Sequence, residues 1–206
     1  MTRQGSLLQG IYDVEGSDAL RRYYDDWAER YDEDLTRADY RTPTRCAEAL
    51  ARHASDQAAP VLDFACGTGL SGVELRQAGF SCIDGTDVAP GMLRQAEKRG
   101  LYRHLLVGHA DQPLDLRDRG YAAIVASGAI GAGAAPADCI DWALDTLAPG
   151  GLFVLSLNDH SMDDPDYAGR LTRATDAGRI TVLEDEDGPH LPAMGLNARV
   201  FVLRRL

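Results

Sequence analysis

The chain has 206 residues, of which 45% are hydrophobic and 26% are charged, a balance typical of one globular domain and not of a disordered or fibrous protein. Its 32 acidic side chains outnumber the 21 basic ones, and the formal net charge of -11 disfavours nucleic acid and anionic membranes as partners. Four cysteines without a CxxC pair, and the lack of an apolar run of about 20 residues, the length that spans a bilayer, predict a reduced cytoplasmic protein with no secretory signal or membrane anchor.

Two helices are predicted before the first strand. Ser17 is a candidate N-cap, and the side chains that follow at helical spacing on one face are Leu20, Tyr24, Trp27, Tyr31 and Leu35. Taken alone, aromatic residues at this spacing are more often core than ligand contacts. Thr42 and Pro43 predict the start of a second helix, because proline is favoured at the first helical position. Residues 1–55 are therefore expected to form a helical cap.

From Val61 onward, short apolar runs alternate with glycine-containing turns and helices, a pattern typical of a parallel sheet. Seven strands are predicted, at residues 61–65, 81–86, 104–109, 122–127, 152–157, 179–184 and 198–204. Helices are predicted between them near residues 70–78, 90–99, 136–147 and 166–176. The predicted fold is a doubly wound α/β domain over residues 1–206, with a Rossmann-like core over residues 60–206.

The last two predicted strands are joined by the loop Glu186–Asn197, which contains glycines and prolines and no helical pattern. A parallel pair needs a crossover, usually a helix, whereas a direct loop suits an antiparallel return. The sheet is therefore predicted to be mostly parallel, with the last strand antiparallel. Because this loop is long for a hairpin, we expect it to form a lid, together with the first helix, over the carboxyl ends of the strands.

The segment VLDFACGTG at residues 61–69 places a buried strand before a glycine-rich turn that leads into a helix. Gly67 and Gly69 permit a tight turn and a close backbone approach to a ligand, which the first N–H groups of the helix face. With Gly72 they also spell GxGxxG, and Asp87 follows at the end of the second strand. A carboxylate there can bind two ribose hydroxyls, which both NAD and S-adenosylmethionine possess.

Simpler interpretations compete with this one: the turn is purely structural, or Asp87 is a helix N-cap before Ala89 and Pro90. Three features favour the methyl donor over NAD. Asp63 lies just before the turn, where a carboxylate repels a pyrophosphate but orders the loop and attracts a cationic amino group. Seven strands leave no separate domain for a dehydrogenase substrate. The segment LAPGG at residues 147–151 precedes the fifth strand.

The motifs resemble those of class I S-adenosylmethionine-dependent methyltransferases and, more narrowly, those of the methyltransferase-like family of the Williams-Beuren region. The narrow resemblance rests on WAERYDED at 27–34, LDFACGTGL at 62–70, ELRQAGF at 74–80, GTDVAPGMLRQA at 85–96 and GLY at 100–102. The general resemblance covers nearly all of the chain from Tyr24 onward. It implies S-adenosylmethionine as the cofactor and S-adenosylhomocysteine as the product.

The resemblance also implies which residues contact the cofactor. The methionine part would lie against the turn formed by Ala65, Cys66, Gly67, Thr68 and Gly69, with Asp63 just before it. The other implied contacts are Asp87 for the ribose, Val88 and Met92 for the adenine face, Ala110 and Asp111 for the adenine edge, Ser127 and Gly128 below the sulfonium, and Tyr24 and Tyr31 as an aromatic cap. Two residues depart from the broad superfamily: Ala65 replaces a glycine, and Ala122 replaces an acid.

Methyl transfer from a sulfonium is a direct displacement for which a general base is not always needed. If the acceptor is a hydroxyl or an ammonium, His160 is the candidate base, whereas His109 and His190 are expected to be ordinary surface or loop histidines. SGAIGAG at residues 127–133 replaces the NPPY-like tetrad of enzymes that methylate planar amino groups, which favours a small-molecule acceptor. We expect a monomer or homodimer without a metal. The alternatives are an NAD-dependent oxidoreductase and a cofactor-binding module that has lost catalysis.

Overall fold

A computed structural model of the chain describes residues 10, 11, 14, 16–109 and 114–206. Its strands form one sheet in the order β3-β2-β1-β4-β5-β7-β6. They are β1 (Val61–Phe64), β2 (Ile83–Asp87), β3 (Leu105–Val107), β4 (Ala123–Ala126), β5 (Leu152–Asn158), β6 (Ile180–Leu191) and β7 (Leu196–Arg205). Neighbouring strands are parallel, except that β7 is antiparallel to both β5 and β6. The predicted sheet, mostly parallel with the last strand reversed, is confirmed.

The helices of the described residues surround this sheet. They are α1 (Ser17–Trp27), α2 (Tyr31–Arg37), α3 (Thr42–His53), α4 (Leu70–Gln77), α5 (Pro90–Lys98), α6 (Cys139–Thr146), α7 (Asp159–Asp163) and α8 (Pro165–Asp176). Proline is the first residue of α5 and of α8, where its missing N–H leaves no helical hydrogen bond unmade. The four predicted helices between the strands are confirmed to within three residues. None of these helices is long and apolar enough to cross a membrane.

The core has one apolar layer on each face of the sheet. Because side chains alternate along a strand, Ile124 and Phe153 pack on one face with α6, while Val125 and Val154 pack on the other with α3 and α4. Covering both faces explains why the central strands are continuously hydrophobic. Only the ends of the strands are left for a site.

The single N-terminal helix expected from Ser17 to Leu35 is wrong in its extent. The first helix ends at Trp27 and a second begins at Tyr31. The N-cap of α1 is Gly16 rather than Ser17. In a continuous helix, residues seven apart lie about 10 Å apart along the axis. The break allows the indole N–H of Trp27 to donate to Asp34 Oδ2 at 2.9 Å, which satisfies the polar group of a ring that is 2% exposed.

The lid loop expected at Glu186–Asn197 is also wrong. β6 continues to Leu191 and β7 begins at Leu196, so the connection is only a short 3₁₀ turn, Pro192–Met194, and one glycine. A register shift at Pro189 absorbs the proline, as bulges do in strands. Arg45 of α3 donates to the carbonyls of Glu186 and Ala198 at 2.8 and 2.7 Å. The segment is therefore a β-hairpin held by backbone pairing and by α3.

Candidate cofactor and acceptor site

The carboxyl ends of β1, β2 and β4 open into a cavity of about 500 Å³. Strand order reverses between β1 and β4, and open α/β sheets bind their ligands at this switch point. The turn after β1 forms one wall, and Asp87 at the end of β2 forms another. Tyr24 of α1 and Tyr31 of α2 line the same cavity, so the N-terminal helices lie across its opening.

The turn after β1 contains three residues in the left-handed backbone region. Their φ angles are 51° at Ala65, 55° at Gly67 and 90° at Gly69. Left-handed backbone costs a residue with a Cβ about 1 kcal/mol, so Ala65 carries strain that glycine would not. The N–H of Cys66 donates to the carbonyl oxygen of Thr86 at 2.8 Å, which ties the turn to β2.

Asp87 joins this turn to the end of β2. Its Oδ2 accepts from the N–H of Gly67 at 2.9 Å, and its Oδ1 accepts from the N–H of Ala89 at 2.8 Å. The N-cap of α5 is Ala89, so Asp87 is not the cap of that helix. Each carboxylate oxygen keeps a further acceptor position. Burial raises the pKa of Asp87 to about 6, against the lowering effect of these backbone hydrogen bonds.

Asp63 lies beneath the turn rather than in the cavity, and is 1% exposed. Ser71 Oγ lies 2.8 Å from Oδ1 and 2.6 Å from Oδ2, and Tyr102 Oη donates to Oδ2 at 2.7 Å. Burial raises the pKa of Asp63 to about 6. This geometry suits the ordering of the loop, the first of the two roles expected for Asp63, since the side chain has no direct access to a ligand.

Tyr102 explains why glycines recur around the turn. A Cβ on Gly72 would lie 2.3 Å from Tyr102 Oη, and one on Gly85 would lie 3.0 Å from its ring. A Cβ on Gly69 would meet the same ring at 3.2 Å. The GxGxxG pattern therefore makes room for a tyrosine that bonds Asp63, in addition to shaping the turn. No motif in the sequence indicated a role for this tyrosine.

A polar network joins α2 to the turn and to α5. Thr68 Oγ1 donates to Asp32 Oδ1 at 2.5 Å, and the Arg99 guanidinium forms an ion pair with Oδ2 of the same aspartate. Arg99 Nε also donates to the carbonyl of Thr68 at 2.6 Å. The position of α2 over the cavity is thus linked to the conformation of the glycine turn.

The aromatic residues of the first two helices divide between core and cavity. Trp27 is buried, and its ring centroid lies 4.7 Å from that of Tyr31. Tyr24 Oη donates to the carbonyl of Gly133 at 3.0 Å, in the loop after β4. Trp27 is therefore core, whereas Tyr24 and Tyr31 each have one side against the cavity.

Eleven residues expected to contact a cofactor line this cavity together: Tyr24, Tyr31, Ala65, Cys66, Gly67, Thr68, Asp87, Val88, Met92, Ser127 and Gly128. Two others, Asp63 and Gly69, support the turn from outside the lining. Ala110 and Asp111 lie outside the described residues. His160 lies in α7, is exposed, and is not among the described residues that line the cavity, so the structure does not bring it to the other predicted residues.

Several lining residues carried no signal in the sequence. Tyr40 and Thr86 line the cavity, as do Trp142 of α6 and Tyr167 of α8. Thr86 lies in β2 beside Asp87, whereas Trp142 and Tyr167 reach the cavity because helices that are distant in sequence pack at the same end of the sheet. The loop 131–135, which consists of small residues, also lines the cavity. Its first residues belong to SGAIGAG, which in the sequence indicated only that an NPPY-like tetrad is replaced.

A seven-stranded sheet with a reversed seventh strand, a glycine turn after β1 and an acid after β2 defines a class I methyltransferase fold. The family model described as "Methyltransferase domain" matches residues 37–194, and the chain belongs to this family. The fold and family expected from the sequence are confirmed.

Known relatives agree with this assignment. The chain is 38% identical over 142 residues to methyltransferase-like protein 27 of Homo sapiens, a match that covers 68% of this chain and 58% of that protein. The match thus spans less than two thirds of the relative's length. A Burkholderia thailandensis 1,6-didemethyltoxoflavin-N1-methyltransferase, solved with its substrate and S-adenosylhomocysteine, is 17% identical with a TM-score of 0.62, and the alignment covers 100% of this chain and 92% of that one. A ribosomal protein L11 methylase from Lactobacillus delbrueckii subsp. bulgaricus is 16% identical with a TM-score of 0.54 and coverages of 79% and 78%.

Proposed function

We propose that the chain binds S-adenosylmethionine in the large cavity and transfers its methyl group to a small-molecule acceptor. The observation that carries the proposal is the convergence of the glycine turn, Asp87 and the N-terminal aromatic residues on one cavity at the switch point of the sheet. Proteins that share the fold are named for acceptors as different as 1,6-didemethyltoxoflavin and ribosomal protein L11. The fold alone therefore does not determine the class of acceptor.

The cavity suits the chemistry of this cofactor. Thr86 belongs to the cavity lining, and its Oγ1 is buried without a hydrogen-bond partner among the described residues. No lysine or arginine occurs among the described lining residues, whereas Asp87 and Asp138 do. Such a lining favours a cationic sulfonium and ammonium over the pyrophosphate of NAD.

Roles follow from where each group lies. The backbone around Gly67 would hold the methionine part, Asp87 would accept hydrogen bonds from the ribose hydroxyls, and Val88 and Met92 would contact the adenine. The bound cofactor supplies an already activated methyl group, so the protein mainly aligns the acceptor and excludes water. Tyr24 and Tyr31, which lie across the opening, serve the second task.

Calorimetric titration separates this function from that of an NAD enzyme. We expect S-adenosylhomocysteine to bind with micromolar affinity, about 8 kcal/mol, and NAD to bind far more weakly. Tight binding of NAD without a response to S-adenosylhomocysteine would overturn the proposal. Binding of S-adenosylhomocysteine without label transfer from a methyl-labelled donor, across a panel of small hydroxyls and amines, would instead favour the binding module that has lost catalysis.

A pair of alanine variants tests the position of the ligand. Gly67 and Gly178 have φ angles of 55° and 64°, and an added Cβ meets no described atom within 4 Å at either, so Gly67→Ala and Gly178→Ala introduce similar backbone strain. Only Gly67 lines the cavity. We expect Gly67→Ala to weaken S-adenosylhomocysteine binding about tenfold, or about 1.4 kcal/mol, and Gly178→Ala to leave it unchanged. Equal affinities would place the ligand elsewhere.

A further inference from the structure

A second, smaller cavity of about 70 Å³ adjoins the large one at Gly128, which we call the rim of the large cavity. The two share Tyr24, Tyr31, Tyr40, Gly128 and the loop 131–134 as lining, so they are adjoining compartments. The smaller one is closed at its far side by Ser156 of β5 and His190 of β6. A ligand in the large cavity that passes the Gly128 rim would enter it.

Polar groups converge on this small compartment. His190 Nδ1 and Thr42 Oγ1 lie 2.7 Å apart, and the His190 and Tyr40 rings meet edge to face with centroids 5.4 Å apart. A Cβ on Gly128 would lie 3.9 Å from His190 Cε1 and 2.1 Å from Tyr40 Oη. The imidazole edge and the phenol therefore both face the rim, and only glycine at 128 leaves space between them.

His190 was expected to be an ordinary loop histidine, but it is 7% exposed. Burial lowers its pKa to about 4, and the two charged groups that act on it oppose one another, since Asp159 raises the pKa and Arg45 lowers it. The ring is therefore neutral near pH 7, so one of its nitrogens is an acceptor. If Nδ1 donates to Thr42 Oγ1, that acceptor is Nε2.

No lysine, arginine, aspartate or glutamate is present among the described residues that line the small compartment. A phosphate or carboxylate placed there would lose its hydration without gaining a cation, which is costly. An uncharged hydroxyl or amine would lose far less and would gain hydrogen bonds to buried polar groups. The compartment therefore selects by charge as well as by size.

We propose that this compartment binds the nucleophilic end of the methyl acceptor, an uncharged hydroxyl or amine group, and that His190 accepts its proton. The inference rests on the proposed function of the large cavity.

During transfer, a lone pair of the acceptor oxygen or nitrogen forms the bond to the methyl carbon, while the electrons of the carbon–sulfur bond go to sulfur. The O–H or N–H bond breaks and its proton passes to Nε2. Thr42 is a positioning residue, because its hydrogen bond sets which nitrogen carries the proton.

NMR of histidine-labelled protein tests the inference without a known acceptor. The chain has 5 histidines, and His190→Asn identifies the His190 signals. With S-adenosylhomocysteine bound, the probes are 4-methylphenol, a neutral hydroxyl, and 4-methylbenzoate, its anionic counterpart. We expect 4-methylphenol to shift the His190 signals, and 4-methylbenzoate to bind at least tenfold more weakly, since no cation faces it. Before the probe is added, the spectra should show the proton on Nδ1, and Thr42→Val should disturb that tautomer.

Affinity for 4-methylphenol provides a second measurement. His190→Asn should weaken it about three- to tenfold, as expected for one hydrogen bond, while His104→Asn, at an exposed histidine outside both cavities, should not. Unmoved His190 signals in the wild-type protein at saturating probe, or preferred binding of 4-methylbenzoate, would overturn the inference even if His190→Asn fails to fold. Failure of S-adenosylhomocysteine to bind would instead remove the proposed function on which the inference rests.

Discussion

At the scale of single residues, the site is dominated by two carboxylates, Asp63 buried beneath the turn and Asp87 partly buried in the cavity lining. Burial raises the pKa of Asp63 and of Asp87 to about 6, from the ordinary aspartate value of 3.8, and the Asp87 charge adds to the rise at Asp63. Because the folded-state values exceed the unfolded one, the folded protein binds more protons between about pH 4 and pH 6. These two groups therefore lower the free energy of unfolding as pH rises through that window.

The raised pKa of Asp87 predicts that cofactor binding depends on pH in the opposite direction. Ribose hydroxyls donate best to the ionised carboxylate, so affinity for S-adenosylhomocysteine should be constant above about pH 7 and fall, by up to about tenfold per pH unit, below pH 6. Calorimetric titration from pH 8 to pH 5 measures this. In Asp87→Asn the affinity should be lower throughout and nearly independent of pH. An unchanged wild-type affinity at pH 5 would show that the Asp87 charge does not contribute.

Asp87→Ala should weaken S-adenosylhomocysteine binding by about 1.5–3 kcal/mol. The hydrogen bonds that Asp87 accepts from Gly67 and Ala89 add a second expectation, because the variant also leaves two N–H donors without their acceptor. The free energy of unfolding should fall by about 1–2 kcal/mol. Denaturant unfolding and calorimetry on the same variant measure both quantities. Loss of stability with unchanged affinity would assign Asp87 a structural role only.

Tyr102 should be more important for stability than another tyrosine that also bonds a buried aspartate. Tyr102→Phe removes one of the two groups that bond Asp63 and should cost about 1.5–3 kcal/mol. Tyr121→Phe is the matched control, since Asp84 keeps both hydrogen bonds from Arg103 and should lose only about 0.5–1.5 kcal/mol. Denaturant unfolding at pH 7 gives both numbers. Equal costs would mean that the buried Asp63 charge is stabilised in another way.

At the scale of elements, two short helices contribute lining to the large cavity, whereas the β6–β7 hairpin contributes lining only to the small compartment. α1 and α2 contribute no strand pairing, and α2 is joined to the turn by Asp32 through Thr68 and Arg99. The β6–β7 hairpin is held by backbone pairing along its length, with two register shifts, and by Arg45. Of these three elements, α1 and α2 are the candidates for a part that closes over a ligand.

Hydrogen exchange tests which of these elements responds to the cofactor. We expect S-adenosylhomocysteine to slow exchange in Ser17–Trp27 and Tyr31–Arg37 and to leave residues 186–191 protected in both states. Arg99→Met should raise exchange in α2 and weaken binding, whereas Arg94→Met, at an exposed arginine of α5, should do neither. Unchanged exchange in α1 and α2 at saturating ligand would identify the aromatic face as ordinary core.

At the scale of the whole molecule, the charge of the protein disfavours binding of anionic partners. The formal net charge is -11, and several arginines of the described surface are paired with acids, among them Arg52, Arg117, Arg170 and Arg179. Paired cations release few counterions from a nucleic acid backbone. The same balance leaves the cavities without a basic lining.

The molecule should therefore not bind RNA on its own. We expect a fluorescent single-stranded RNA to bind more weakly than about 100 µM at physiological salt, with or without S-adenosylhomocysteine. Fluorescence anisotropy over a range of salt concentrations measures this. Micromolar, salt-dependent binding would contradict the small-molecule acceptor and point to an RNA substrate.

The sequence by itself determined the alternation of strands and helices, the reversed last strand and the residues of the glycine turn, because these depend on local periodicity, on the length of connections and on backbone angles that favour glycine. The order of the strands in the sheet came only from the structure. The sequence also placed Asp87 at the cavity, since the end of a strand is local information. Only the tertiary structure brought Tyr102 to Asp63 and His190 to Thr42, which are 148 positions apart in the chain. It also decided that Trp27 is core, that His160 does not line the cavity and that Glu186–Asn197 belongs to a hairpin. Such contacts arise from how helices and strands pack, and the spacing of residues within one segment does not encode the distance to another.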